Sequence, residues 1–245
     1  MTCYSYTRAP DGAAPLGMIV LQTDETLEGD LRRMIPDEIH LYVSRVPSGA
    51  DVTPESLRTM AGHLTHAAQL LPQAMPYAAI GYGCTSATAQ IGAAKVVELI
   101  GAGARTAHVT DPLSALIAAC DALDITRLGF LSPYTADVSD KLRSALAASG
   151  IASPAFGSFE EANEANVVRI DRASIIEAAC DLAAQGEVQA VFLSCTNLRT
   201  LDLIEEVEDR TGLPCLSSNQ VLGWHLGQYI GVAAMIPGKL GQRCG

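Results

Sequence analysis

Aromatic residues, basic residues and long apolar runs are all scarce in this sequence of 245 residues. Aromatic side chains make up 5% of it, with one tryptophan, and 16 Lys and Arg are outnumbered by 27 Asp and Glu. A net charge of −11 opposes binding to a phosphate backbone, so no nucleic acid partner is expected. No window reaches the roughly 18 uninterrupted apolar residues of a transmembrane helix, so no membrane partner is expected either.

An export signal and a disulfide pattern are also missing. The first residues lack a basic start followed by an apolar core, and the seven cysteines form an odd set without CxxC spacing. We therefore predict a cytoplasmic protein whose thiols are mostly reduced. The cysteines are Cys3, Cys84, Cys120, Cys180, Cys195, Cys215 and Cys244.

Motifs that bind cofactors and metals are not found. The segment GAGART at 101–106 matches neither the dinucleotide fingerprint nor the P-loop, and no serine lies in a GxSxG motif. His63 and His66 share a helical face but have no third ligand nearby, which favours a surface pair over a metal site. We expect neither a cofactor nor a metal.

The composition that remains is that of a compact α/β protein. Hydrophobic residues make up 49% and charged residues 18%, with a mean hydropathy of +0.21. Short apolar runs alternate with segments of helical periodicity, which predicts parallel sheet flanked by helices. The predicted strands are 17–21, 39–43, 78–82, 106–109, 127–131, 190–193 and 214–216.

An internal repeat predicts two similar halves. The segment LGMIVLQTDETLEGDL from Leu16 aligns with LGFLSPYTADVSDKL from Leu128, and GYGCTSATA around Cys84 matches SCTNLRT around Cys195 at almost the same spacing. We predict halves at 15–115 and 116–230, related by approximate two-fold symmetry with the active site between them. A helix beginning near residue 218 is expected to pack back onto the first half.

The repeated Cys-Thr pair carries the predicted chemistry. Each pair follows an apolar strand and precedes a predicted helix, so Cys84 and Cys195 lie where open α/β folds bind ligands. The start of a helix would stabilise a thiolate there. Neighbouring side chains and backbone N–H groups could bind a carboxylate. These neighbours are Thr85, Ser86, Thr196 and Asn197.

Two thiols on opposite sides of one cleft suit a cofactor-independent isomerase acting on a small carboxylate. In a racemase, both thiols exchange protons; in a cis–trans isomerase, one adds to the double bond. Two alternatives remain at this point: two ordinary core cysteines, and a non-catalytic ligand-binding protein.

The phrases GYGCTSATA, LSPY at 131–134 and SCTNLRT resemble the aspartate/glutamate racemase superfamily, nearest its maleate isomerase and arylmalonate decarboxylase branch. Longer phrases, such as VPSGADVTPESL and LPCLSSNQVLGWH, resemble the proteins encoded with ectoine-degradation genes. The resemblance implies that Cys84 and Cys195 are catalytic and that Tyr134 hydrogen-bonds a substrate carboxylate or enolate oxygen. It suggests Asn163 for the second-half asparagine, although a gap-free match falls on Glu164. It also implies a homo-oligomer, either a dimer or a tetramer.

The chain departs from the sequence pattern of this family at Asp24. Maleate isomerases have an asparagine in the first loop, where this chain has Thr-Asp-Glu-Thr at 23–26. A carboxylate at Asp24 would repel a dicarboxylate but could bind a substrate ammonium or activate a thiol, or it could simply cap a helix. Asp24 therefore disfavours maleate, and we expect the substrate to be a small carboxylate or an amino-acid-derived acid. The resemblance also implies a third alternative, a decarboxylase of malonate-type acids, which is weakened because arylmalonate decarboxylases lack the first-half cysteine.

Overall fold

A computed structural model describes residues 1–10, 12–231 and 233–243, so Cys244 lies outside the described residues. The described strands form two four-stranded sheets in which all neighbours are parallel, with the orders β2-β1-β3-β4 and β6-β5-β7-β8. The second order repeats the first with every strand number raised by four. The predicted α/β fold of two similar halves is confirmed.

The strands and helices alternate along the chain. The strands are β1 Leu16–Leu21, β2 Leu41–Val46, β3 Tyr77–Gly83, β4 Thr106–Thr110, β5 Arg127–Ser132, β6 Ala152–Ser158, β7 Ala190–Leu193 and β8 Cys215–Ser217. The helices are α1 Leu27–Met34, α2 Pro54–Thr59, α3 Ala61–Gln69, α4 Thr85–Ile91, α5 Ala93–Gly101, α6 Pro112–Ala122, α7 Ala136–Ala148, α8 Glu164–Val167, α9 Arg172–Ala184, α10 Ile204–Thr211, α11 Ser218–Gly227 and α12 Gly238–Gly241, with a 3₁₀ turn at Leu201–Leu203. None of the described helices has the length and apolar character needed to cross a bilayer.

The central strands hold the site rigidly because helices cover both faces of each sheet. All six residues of β1 and all four of β7 are buried. β3 ends at Gly83, where a Cβ atom would lie 2.9 Å from Met18 Cε and would overlap Leu27. A glycine there lets the chain pass under α1 and delivers Cys84 to the end of the strand.

Two edge strands differ from the prediction. β2 lies at Leu41–Val46 rather than 39–43, because Ile39 closes a turn onto Pro36 and the strand continues through two polar residues. β6 was not predicted, since its sequence ASPAFGS contains a proline and a glycine and shows no apolar alternation. Both strands lie at sheet edges, where polar residues and proline are tolerated.

Two of the connections between the halves are a packed helix and a pair of backbone hydrogen bonds. Helix α11 begins with a capping box between Ser217 and Gln220, and packs on α6 as well as on α1 and β3 of the first half. The second connection, which we call the clasp, pairs residues 50–52 with residues 162–164. Val52 N donates to the Ala162 carbonyl oxygen at 2.9 Å, and Glu164 N donates to the Ala50 carbonyl oxygen at 3.0 Å.

Candidate active site

The two cysteines end equivalent strands but are held differently. Cys84 is the N-cap of α4, and its Sγ accepts a hydrogen bond from Ala87 N at 3.3 Å. Cys195 has a φ of 111°, a strained conformation for a residue with a Cβ, and its Sγ accepts from Asn197 N at 3.3 Å. Residues 195–200 are irregular, so the helix predicted directly after the second Cys-Thr is wrong.

Ser218, which the sequence analysis missed as a site residue, joins the two Cys-Thr loops. Its Oγ accepts from Cys195 N at 3.0 Å and lies 2.9 Å from Thr85 Oγ1, which donates to it. The Thr196 hydroxyl of the second Cys-Thr loop donates to the Gly83 carbonyl oxygen, just before the first Cys-Thr, at 3.2 Å. The two loops therefore meet in one cleft between the sheets.

A buried acid, Glu164, completes the Cys195 side. The Tyr134 hydroxyl donates to Glu164 Oε1 at 2.6 Å and lies 2.9 Å from Cys195 Sγ. Because the tyrosine proton is given to Glu164, the tyrosine oxygen is free to accept the S–H of Cys195. Asn197 Nδ2 donates to Glu164 Oε2 at 2.8 Å. These contacts form a proton path from thiol to phenol to carboxyl.

Asn163 is not brought to the cysteines. It is the N-cap of α8, where its Oδ1 accepts from Ala165 N at 3.0 Å, and its Nδ2 lies 3.4 Å from Asp51 Oδ1 in the clasp. The next residue, Glu164, enters the cleft instead and is 4% exposed. The gap-free match of the sequence was the signal that could have identified Glu164.

The remaining predicted site residues line the same cleft. Asp24 is buried before α1, with Oδ1 accepting from Thr26 N and Leu27 N at 2.8 Å each. Ser86 is buried in the first turn of α4. The Asn197 amide is fully engaged, because its Oδ1 also accepts from Glu25 N at 2.9 Å. In the described part of the chain, no group of three His, Cys, Asp or Glu side chains is arranged to bind a metal ion.

Burial governs the titration of the site. Cys84 and Cys195 are only 5% and 3% exposed. Desolvation raises the pKa of Cys84 to about 12 and the pKa of Cys195 well above its usual range, and Glu164 and Asp24 raise both further. Desolvation likewise raises the pKa of Glu164 and of Asp24. The expectation of a stabilised thiolate is therefore wrong for the closed cleft, although the Ala87 N–H opposes the shift at Cys84.

This closed state predicts slow alkylation of both cleft thiols. At pH 8 a thiol of pKa about 12 is ionised in about 1 molecule in 10,000, against about 1 in 4 for an ordinary thiol. Iodoacetamide should label exposed Cys3 first and reach Cys84 and Cys195 only after unfolding in urea. Peptide mapping by mass spectrometry measures this order, and fast labelling of either cleft thiol in the folded protein would contradict it.

Two parallel-sheet halves facing each other across paired cysteines define a class of cysteine-dependent α/β proteins, and comparison with known proteins places this chain within it. The family model for arylmalonate decarboxylase matches residues 16–241, and the chain belongs to this family. It is 24% identical over 239 residues to a maleate isomerase of Nocardia farcinica, covering 93% of this chain and 94% of that protein. It is 28% identical over 214 residues to the arylmalonate decarboxylase of Bordetella bronchiseptica, covering 85% and 87%.

A solved structure agrees with the fold. A variant of the Nocardia farcinica maleate cis–trans isomerase, described with a covalently bound succinylcysteine intermediate, superposes with a TM-score of 0.84 at 23% identity. The match covers 96% of this chain and 100% of that one. The resemblance to the maleate isomerase and arylmalonate decarboxylase branch is thus confirmed.

Proposed function

We propose that this protein is a cofactor-independent isomerase in which Cys84 and Cys195 act on one small carboxylate-bearing substrate. The observation that carries the proposal is the meeting of both Cys-Thr loops at Ser218 in one closed cleft. The relatives described as maleate isomerases support the reaction class.

The hydrogen bonds around Cys195 support a proton route at this thiol. Cys195 passes its proton through Tyr134 to Glu164, which leaves a thiolate against the substrate. In racemisation, that thiolate takes the α-proton, the electron pair moves into the carboxylate as an enolate, and Cys84 returns a proton to the opposite face. In cis–trans isomerisation, a thiolate bonds to one alkene carbon, and the former π pair becomes the enolate. Rotation and loss of the thiolate then restore the double bond.

The substrate carboxylate is bound by donors beside Cys84. The Ser86 hydroxyl lies in the first turn of α4, next to backbone N–H groups not needed within the helix. The Thr85 hydroxyl in the same turn donates its proton to Ser218 and positions this turn. Asn197 and Thr196 support the site indirectly, since their hydrogen bonds run to Glu164 and to Gly83. Tyr134 acts through Cys195 and Glu164 in the closed state.

Decarboxylation of a malonate-type acid is the second candidate, favoured by the family description and by the Bordetella bronchiseptica relative. It requires one thiol, whereas this cleft has two. A non-catalytic binding protein would have no use for a buried Cys195–Tyr134–Glu164 path, which is costly to keep in a low-dielectric interior.

The cytoplasmic location, the dimeric or tetrameric state and the link to ectoine degradation stay predictions from the sequence.

The reaction is tested by NMR in D₂O without added cofactor. The panel holds maleate, both enantiomers of aspartate, glutamate and 2,4-diaminobutyrate with its acetylated forms, and methyl- and arylmalonate. Deuterium entering an α-carbon with loss of optical purity establishes a racemase, and conversion of maleate to fumarate establishes a cis–trans isomerase. If release of carbon dioxide from a malonate is the only reaction observed, the protein is a decarboxylase and the proposed isomerase is wrong.

A further inference from the structure

One oxygen of the Asp24 carboxylate has no hydrogen-bond partner among the residues that the structure describes. Asp24 is 4% exposed, and while Oδ1 accepts two backbone N–H groups, the buried Oδ2 accepts none. The Thr196 hydroxyl interacts with this carboxyl, but its one proton is donated to the Gly83 carbonyl oxygen. A buried carboxylate oxygen left without a donor is costly, so a donor arriving with the substrate would be strongly stabilised.

Arg45, the basic residue that acts on Asp24, is engaged elsewhere. Its guanidinium donates to the backbone oxygens of Leu21 and Asp24, at 2.9 Å each, and pairs with Glu28 at 3.4 Å. Asp24 also interacts electrostatically with Glu164, a second acid. Among the described residues, this region therefore holds two buried acids whose carboxyl groups are not paired with a cation of their own.

A ligand with two carboxylates would fit this region poorly, because its second charge would face Asp24 and Glu164 in a water-poor cleft. A ligand with one carboxylate and one protonated amine would supply both the missing donor and the missing positive charge. The turn that holds Asp24 contacts the second Cys-Thr loop, where Thr26 Oγ1 donates to the Asn197 carbonyl oxygen at 2.9 Å, so a bound amine would lie beside that loop.

We propose that the unpartnered oxygen of Asp24 binds a protonated amine of the substrate, which makes the substrate class amino-bearing carboxylic acids rather than dicarboxylates. The inference rests on the proposed function in assigning the carboxylate to the Cys84 side. Asp24 is then a specificity-determining residue that contacts the substrate directly.

Calorimetric titration of the full chain with matched four-carbon acids tests the inference. The probes are succinate, 2-aminobutyrate and 4-aminobutyrate, which differ in whether a second carboxylate or an ammonium is present. We expect at least one amino acid to bind about tenfold more tightly than succinate, as a charge-assisted hydrogen bond provides. Equal or tighter binding of succinate to the wild-type protein overturns the inference, and this outcome depends on no variant.

The isosteric variant Asp24→Asn sharpens the test. Its Oδ1 keeps both backbone contacts while an N–H donor replaces Oδ2, so the preference for ammonium should fall at least about tenfold and shift toward succinate. The control is Asp111→Asn, where a buried carboxylate caps α6 with both oxygens bound by Ser114, at 2.9 and 2.7 Å. It should leave the ratio within about twofold. An unchanged ratio in folded Asp24→Asn overturns the inference.

Turnover in the same proteins separates this inference from the proposed function. If the protein binds ammonium-bearing acids more tightly but shows no cysteine-dependent turnover, Asp24 keeps its proposed binding role and the isomerase proposal is wrong. Cysteine-dependent turnover of maleate with no ammonium preference retains the isomerase and rejects the amine site.

Discussion

The Cys195→Ser variant is expected to lose turnover on the order of a thousandfold while remaining folded. A serine hydroxyl occupies nearly the same space, yet it ionises far less readily and is a much weaker nucleophile. The Asn197 N–H and the Tyr134 hydroxyl can still bond to the new oxygen, so the loop should keep its shape. Initial rates on the substrate identified by NMR, with circular dichroism as the test of folding, measure the effect.

The matched changes are Cys84→Ser in the other loop and Cys180→Ser, which alters a half-buried thiol in α9. A two-thiol mechanism requires a large loss for both cleft variants and almost none for Cys180→Ser. Full activity in Cys84→Ser would contradict it and restore the one-cysteine decarboxylase. Activity of the isolated variants should not be recovered by mixing them if each cleft is built within one chain.

Removing the charge of Glu164 should have the second largest effect. In Glu164→Gln, the side chain can still accept the Tyr134 proton, but it can no longer hold the proton that leaves Cys195, so kcat should fall about 100-fold. The new amide also meets Asn197 Nδ2 donor to donor, which should cost about 1–3 kcal/mol in the free energy of unfolding. Steady-state kinetics and urea unfolding measure the two effects separately.

The pH profile distinguishes this proton-accepting role from a structural one. Burial raises the pKa of Glu164, and a protonated Glu164 cannot accept, so wild-type kcat should fall as the pH drops through that raised value. The acid limb should disappear in Glu164→Gln. Glu161→Gln, a change at a half-buried side chain three residues away, should keep both the rate and the acid limb. A limb that persists unchanged in Glu164→Gln would show that another group receives the proton.

The fold and the two thiols were predictable because their signals are local and repeated. Buried central strands appear as continuous apolar runs, and the Cys-Thr pair recurs at nearly the spacing of the strand repeat. The edge strand β6 could not be found that way, since Pro154 and Gly157 are tolerated there only through its position in the sheet.

The parts of the site that escaped prediction depend on contacts between distant segments. Ser218 lies 133 residues from Thr85, and Glu164 lies 30 residues from Tyr134, so no spacing rule connects them. The thiol pKa was mispredicted for the same reason. A helix start next to Cys84 can be recognised in the sequence, whereas the burial of its thiol in the folded protein, which raises the pKa, cannot.

The clasp has a kinetic consequence. Glu164 N donates to the Ala50 carbonyl oxygen of the opposite half. The residue that stores the proton of Cys195 is therefore itself part of the clasp. We expect release of product to require breaking that bond, which would expose the stored proton to solvent. The substrate proton taken up by Cys195 in racemisation should likewise exchange with solvent only after the bond has broken, so internal return should compete with wash-out at a ratio set by how fast the clasp opens.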